Sequence, residues 1–304
     1  MIKNYHIISK GGESTIYKIS SIDNYVIKVS NTNNNNHIIK ELNAIKLLKK
    51  HSNIIDYIKF DKKNIIYFPY YEQDLCSYII KKTKIPYNEC INIFYKIIDA
   101  VDFMHSLGLI HCDIKPENIL LDKNLEPKLI DFGHLTINKS FYKKGSLYYN
   151  SPEMCLGKMY DYRTDLWSLG ILLYLMFYGI FPFDNIIDTN TIISQIIYFS
   201  KKIPKKNINI YKIISSLLVI NPDKRESLTN IKKIKCFNHF YKINYYNNPI
   251  HVPKKLIKRN IVDILNKIGW KKYNIEKQLS IKTNKIKTDI MLQRSYFILN
   301  QMCY

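Results

Sequence analysis

The stretch His111-Cys112-Asp113-Ile114-Lys115-Pro116-Glu117-Asn118 sets a carboxylate, an ammonium and a carboxamide at 113, 115 and 118 of one short polar run. An Asx-rich turn after a buried helix would account for a polar loop here, but not for this order of side chains. Upstream, Ile91, Phe94, Ile98 and Val101 recur at helical spacing and predict a long amphipathic helix. Downstream, the strand-like run Lys128-Leu129-Ile130 delivers Asp131-Phe132-Gly133. That triplet alone means little, because such triplets arise by chance in turns. Its place after a strand gives it weight.

Working outward, the first seventy residues read as short apolar strands at Tyr5 to Ser9, Thr15 to Ile19, Tyr25 to Val29 and Ile65 to Phe68. One helix, marked by Ile38, Leu42 and Ile45, interrupts them. From Leu75 onward strands become rare and helical spacing dominates. The expected fold is α+β and bilobal: a small β-rich lobe over 1–72, a larger helical lobe over 73–243, a linker over 244–255, and a basic helical segment over 256–304. Two prolines and three asparagines between Asn244 and Pro253 suggest the linker, and the asparagine run at 33–36 reads as a surface loop.

A chain of 304 residues with 46% hydrophobic content can bury such a core. The formal net charge of +21 raises nucleic acid or an anionic membrane as a partner. The lysines, however, are scattered rather than gathered with aromatics, and they accompany Ile, Asn and Tyr, which share A/T-rich codons, so neither partner is expected. Leu166 to Phe181 is shorter than the roughly 20 residues a membrane span needs, contains Ser168 and stops at Pro182, so a buried core helix is expected. The amino terminus carries no secretory signal pattern. The six cysteines form no C-x-x-C pair, which argues against zinc or a disulfide framework and for a reducing compartment. Cytoplasmic location is expected, and Lys254 to Arg259 is too short a basic run to establish nuclear import.

Phosphoryl transfer asks for little covalent work. A catalyst must hold triphosphate, metal ions and hydroxyl in line while neutralising spread negative charge. In chain order the sequence offers Lys10-Gly11-Gly12-Glu13-Ser14 between two strands, Lys28 at the end of Tyr-Val-Ile-Lys, and Glu41 in the first helix. The 111–118 run and Asp131-Phe132-Gly133 follow, then Ser151-Pro152-Glu153, Asp165-Leu166-Trp167-Ser168-Leu169-Gly170 and Arg225. This ordered set resembles the protein-kinase superfamily over roughly residues 1–240. Singly each motif is weak; the ordered ensemble is specific.

The resemblance implies ATP and Mg2+ as cofactors and protein substrates as partners, with the nucleotide in a cleft between the lobes. Asp113 would orient and deprotonate the substrate hydroxyl, and Lys115 would stabilise the moving phosphoryl charge. Asn118 and Asp131 would ligate metal as hard oxygen donors. Lys28 would pair with the α and β phosphates and with Glu41, which answers the cost of an unpartnered cation at the end of an apolar strand. Aligned on G-x-G-x-x-G-x-V, the phosphate loop has Ser9, Gly11, Ser14 and Ile16, so only the middle glycine is kept; Lys10, Gly12 and Glu13 complete the loop. Phe68 would close the back of the adenine pocket, Pro69 and Tyr71 would offer backbone groups, and Ile16, Val26 and Leu120 would sandwich the base, although core packing explains those three equally well.

Lys115-Pro116-Glu117-Asn118 and Ser146 resemble the serine/threonine kinases. Cys112 stands where the family usually has the arginine that reads a phosphorylated activation segment, so activity without that phosphorylation is expected; Ser140 and Tyr142 remain candidate targets. Glu153 and Arg225 would form a buried ion pair, Asp165 would anchor the catalytic loop, and His111 is read as a core histidine. Leu217 to Arg225 is similar to the AMP-activated and sucrose-nonfermenting branch. Ile261 to Trp270, Asn274 to Leu279 and Asp289 to Leu299 resemble its small ubiquitin-associated-like domain, through which a regulatory partner would act; a solubilising helical tail is the alternative there. The rival to catalysis is a pseudokinase or scaffold that binds nucleotide or partners without phosphoryl transfer.

Overall fold

In the computed structural model the described residues are 5–19, 24–31, 36–61, 65–141, 145–183, 188–200, 202–240 and 259–270, with the helical positions Ile275, Leu279, Met291, Leu292, Ser295 and Leu299. The contacts divide the chain into two compact units: Met1–Glu72 with Ile130–Gly133 and Pro249–Tyr304, and Gln73–Leu129 with His134–Asn248.

The first unit is built on a five-stranded antiparallel sheet. Its strands are β1 (Tyr5–Lys10), β2 (Ser14–Ile19), β3 (Tyr25–Ser30), β4 (Lys59–Phe60) and β5 (Ile66–Pro69), in the order β1-β2-β3-β5-β4. Along β3 both Ile27 and Lys28 are buried, and Lys28 lies opposite Ile66 of β5 and Ile16 of β2. Helix α1 (Asn36–Leu48) carries Ile38, Leu42 and Ile45 on one face. Ile38 and Leu42 pack with Ile66, and Tyr57 and Phe68 close over that cluster.

The second unit is mainly helical. It holds α2 (Leu75–Lys82), α3 (Tyr87–Ser106), α4 (Pro152–Cys155), α5 (Arg163–Tyr178), α6 (Thr189–Ile197), α7 (Ile208–Leu217) and α8 (Leu228–Ile231). Among the described residues of this unit strands occur only in pieces of two or three residues: β6 (Gln73–Asp74) pairs with β8 (Ile119–Leu121) and β8 with β9 (Pro127–Leu129), while β7 (Leu109–Ile110) pairs with β10 (Thr136–Ile137). The apolar stretch from Leu166 is the buried helix α5, with Leu166, Trp167, Leu169, Ile171, Leu172 and Leu173 all inside. It ends at Gly179 in the left-handed region, where an added Cβ would meet the Thr83 carbonyl oxygen at 1.9 Å. Among the described residues no helix is long and apolar enough to cross a membrane.

In the first unit α9 (Arg259–Ile268) packs against α1. Ile261, Val262, Leu265 and Ile268 are its buried stripe, and Trp270, Ile275, Leu279, Met291, Leu292 and Leu299 are buried as well. The expected linker over 244–255 and the asparagine run at 33–35 lie outside the described residues.

Candidate active site

In the first unit, β3 presents Lys28 to α1. Its Nζ lies 2.7 Å from Glu41 Oε2 and 3.0 Å from Asp131 Oδ1. Burial alone would lower the ammonium's pKa, but the two carboxylates outweigh it and hold Lys28 protonated. Glu41 is displaced upward, by burial and by the like charge of Asp131 working against Lys28. The backbone N–H of Phe132 donates to it as well. Asp131 itself sits at φ 63°, a left-handed conformation that a non-glycine residue holds at a cost of about 1–3 kcal/mol and that clusters at functional sites.

The loop between β1 and β2 is knitted by a residue that sequence reasoning did not single out. Asn31 Nδ2 donates to the Gly11 carbonyl at 2.8 Å, and its Oδ1 accepts from the buried Thr15 hydroxyl at 2.6 Å. Its backbone N–H donates to the Glu13 carbonyl, and Gly11 N–H to that of Ser14, both at 2.9 Å. Lys10, Gly11, Gly12 and Glu13 are exposed, and Gly12 has open space where a Cβ would stand. Ile16, Val26, Phe68, Pro69 and Tyr71 of the same unit are each half-buried.

In the second unit the 111–118 run forms a hydrogen-bonded knot. Asp165, fully buried on α5, accepts from the backbone N–H groups of His111 at 2.9 Å and Cys112 at 3.0 Å and bonds His105 Nε2 at 2.8 Å. That anchor holds Cys112 at φ 67°, which turns the chain and presents Asp113. His111 is buried, its Nδ1 accepting from the Asp113 N–H. Asp113 Oδ2 pairs with Lys115 Nζ at 2.9 Å and accepts from Asn118 Nδ2 at 2.9 Å, while Oδ1 accepts from the Ser146 N–H at 2.9 Å. Lys115 also donates to the Ser146 hydroxyl at 2.8 Å. Burial would raise the Asp113 carboxyl, but Lys115, with His111 and His134 behind it, brings it below the usual carboxylate range. The carboxylate is therefore ionised at neutral pH. Leu120, half-buried on β8, belongs to this unit, and Glu117 is exposed.

The oxygen donors fit a hard cation. Asn118 Nδ2 also donates to the Asp113 carbonyl at 2.8 Å, so both amide hydrogens are spent and Oδ1 is the atom left for a metal. Asp131 keeps a carboxylate with about a third of its side chain exposed. Each of these oxygens, taken in its own unit, is the hard donor that Mg2+ takes.

Glu153 and Arg225 meet in a bidentate pair at 2.6 and 2.7 Å, with the guanidinium also donating to the carbonyls of Val219, Arg163 and Ile220. Gly145, at φ +78°, lies so near the catalytic loop that an added Cβ would stand 2.4 Å from the Cys112 carbonyl oxygen. Gly145→Ala is expected to displace Ser146 and with it Asp113, lowering kcat by about 10²-fold, the scale of a 1 Å misplacement; steady-state kinetics beside a thermal melt checks this.

The family model described as protein kinase domain matches residues 2–237. The chain belongs to the protein kinase family. Among the kinase's relatives, a carbon catabolite-derepressing protein kinase of Candida glabrata is 30% identical over 260 residues, 78% of this chain and 42% of that protein. NUAK family SNF1-like kinase 1 of Homo sapiens is 30% identical over 268 residues, 85% of this chain and 40% of that protein. A probable serine/threonine-protein kinase KIN1 homolog of Enterocytozoon bieneusi is 34% identical over 233 residues, 70% and 37% of the two. These similarities place the kinase in the SNF1-related branch, and it spans about two fifths of those relatives' length. Membership implies ATP as phosphoryl donor, typically with Mg2+, and a protein acceptor.

Proposed function

We propose that the kinase transfers the γ-phosphoryl group of ATP to serine or threonine hydroxyls of protein substrates. The observation that carries the reading is the Asp113 knot: an ionised, buried carboxylate fixed by Lys115, Asn118 and the Ser146 N–H. Asp113 accepts the hydroxyl proton, and Lys115 neutralises charge on the moving phosphoryl group. Lys28, held protonated beside Glu41, would bind the α and β phosphates, and Asp131 and Asn118 Oδ1 would each offer an oxygen to Mg2+, which supplies positive charge for the phosphoryl oxygens. Ser146 supports a serine/threonine acceptor, since its hydroxyl and N–H tie Lys115 and Asp113 together.

Two further elements belong to the same reading. The kinase works without phosphorylation of its activation segment, because Cys112 has no charge with which to read a phosphate; Ser140 is buried, and Tyr142 lies outside the described residues. A regulatory partner acting on the C-terminal segment reaches Glu41 through the packing of α9 on α1. The wide spacing of the six cysteines, with no C-x-x-C pair, supports a reducing compartment such as the cytoplasm. A peptide library offering serine, threonine and tyrosine, incubated with the full chain, ATP and Mg2+, tests the activity. Label on serine and threonine is expected. Magnesium-dependent ATP binding with no phosphate in any peptide would mean a scaffold instead.

A further inference from the structure

Resting on the reading of a kinase active without activation-segment phosphorylation, the geometry points to Tyr160 as the positioning residue that stands in for the missing arginine–phosphate contact. Its hydroxyl joins Ser140 of the activation segment to Cys112 of the catalytic loop.

Three independent observations meet at this residue. Ser140 and Tyr160 form a two-way antiparallel bridge, each N–H donating to the other's carbonyl at 2.9 Å. The Tyr160 side chain is hydrogen-bonded to both the Ser140 hydroxyl and the Cys112 thiol. Ile110, Cys112, Met154 and Tyr160 also form one buried apolar cluster, with Tyr162 packed against it. Cys112 is thus more than a lost arginine. Its small side chain, 4% exposed, fills a position among apolar neighbours where a guanidinium would need a partner.

The clamp acts where it can order the segment. Thr136–Ile137 is already paired with Leu109–Ile110 on the upstream side, and on the downstream side Gly145 leaves no room for a Cβ beside the Cys112 carbonyl. Tyr160 fastens Ser140 between them, and with it the turn at Cys112 that presents Asp113. The charged groups beside it are already paired: Arg163 bonds Asp161 and Asp223, and Lys139 faces Asp161. Ser140, 6% exposed, could accept a phosphate only by opening this bridge.

The test uses the full chain after phosphatase treatment, with wild type, Tyr160→Phe, Ser140→Ala and the double variant. Wild type should keep its rate. Tyr160→Phe retains the ring and its packing, and kcat should fall about tenfold, one well-placed hydrogen bond in the transition state, with KM for ATP unchanged. The double variant should lose no more than Tyr160→Phe alone, since both remove one linkage. Trypsin should cut after Lys139, the residue before Ser140, faster in Tyr160→Phe than in wild type, a readout that requires no catalysis. Wild-type kcat and trypsin resistance in Tyr160→Phe, or additive losses, would overturn the clamp while leaving phosphorylation-independent activity intact. Loss of wild-type activity on phosphatase treatment would instead overturn the reading on which it rests, with the trypsin comparison still deciding the clamp.

Discussion

Asp113→Asn is expected to lower kcat by about 10²- to 10⁴-fold, the usual contribution of a positioned general base, with little change in thermal stability or in KM for ATP. The carboxamide is nearly isosteric, so its oxygen can still accept from Asn118 or from the Ser146 N–H. It cannot accept the proton of the substrate hydroxyl, and it no longer pairs as an anion with Lys115, now 2.9 Å away. Because Lys115 and its neighbours hold the wild-type carboxyl below the usual range, the sign of the pH dependence follows. The active ionised form is present above the lowered pKa and is lost only as pH falls through it, so wild-type kcat should hold on the acid side to below about pH 4 before this group limits it. Residual Asp113→Asn activity equal to wild type in a phosphopeptide assay would remove Asp113 from the chemistry.

Glu153→Ala is expected to produce the largest loss of stability, about 3–5 kcal/mol, because it breaks a buried pair and strands a charge. The Arg225 side chain is fully buried and stacks near Trp167, with its centre 5.4 Å from the ring centroid. Three carbonyls remain to accept its hydrogens after the substitution, so the guanidinium keeps partners but loses its counter-charge. Replacing both residues with apolar side chains of similar volume should cost less than either single change. Urea unfolding of the single and double variants measures this directly: a Glu153→Ala midpoint matching wild type would show that the pair contributes nothing.

The sequence made the periodic elements plain. Ile38, Leu42 and Ile45 marked α1 because a helix that buries one face must repeat its apolar residues every three to four positions, and the short apolar run from Tyr25 to Val29 marked β3. The strands past residue 72 were illegible for the opposite reason: Gln73–Asp74 or Leu109–Ile110 is too short to show a period, and each exists only through its pairing partner. The same limit governed the site. Lys28, Glu41, Asp113, Asn118 and Asp131 stood out through their order along the chain, which reflects the chemistry they are read to share. Asn31 did not, because an asparagine after a strand looks like any turn residue until its amide is seen to join Gly11 to Thr15. Cys112 was conspicuous as a departure, but Tyr160 was not, since nothing in a lone tyrosine foretells a bridge to Ser140.

The most direct measurement is a crystal structure of the full chain with Mg2+ and a non-hydrolysable ATP analogue. The account predicts Lys28 Nζ on the α and β phosphates with Glu41 still paired to it, and oxygens of both Asp131 and Asn118 Oδ1 on magnesium. A nucleotide bound away from Lys28, or metal that neither Asp131 nor Asn118 touches, would contradict it.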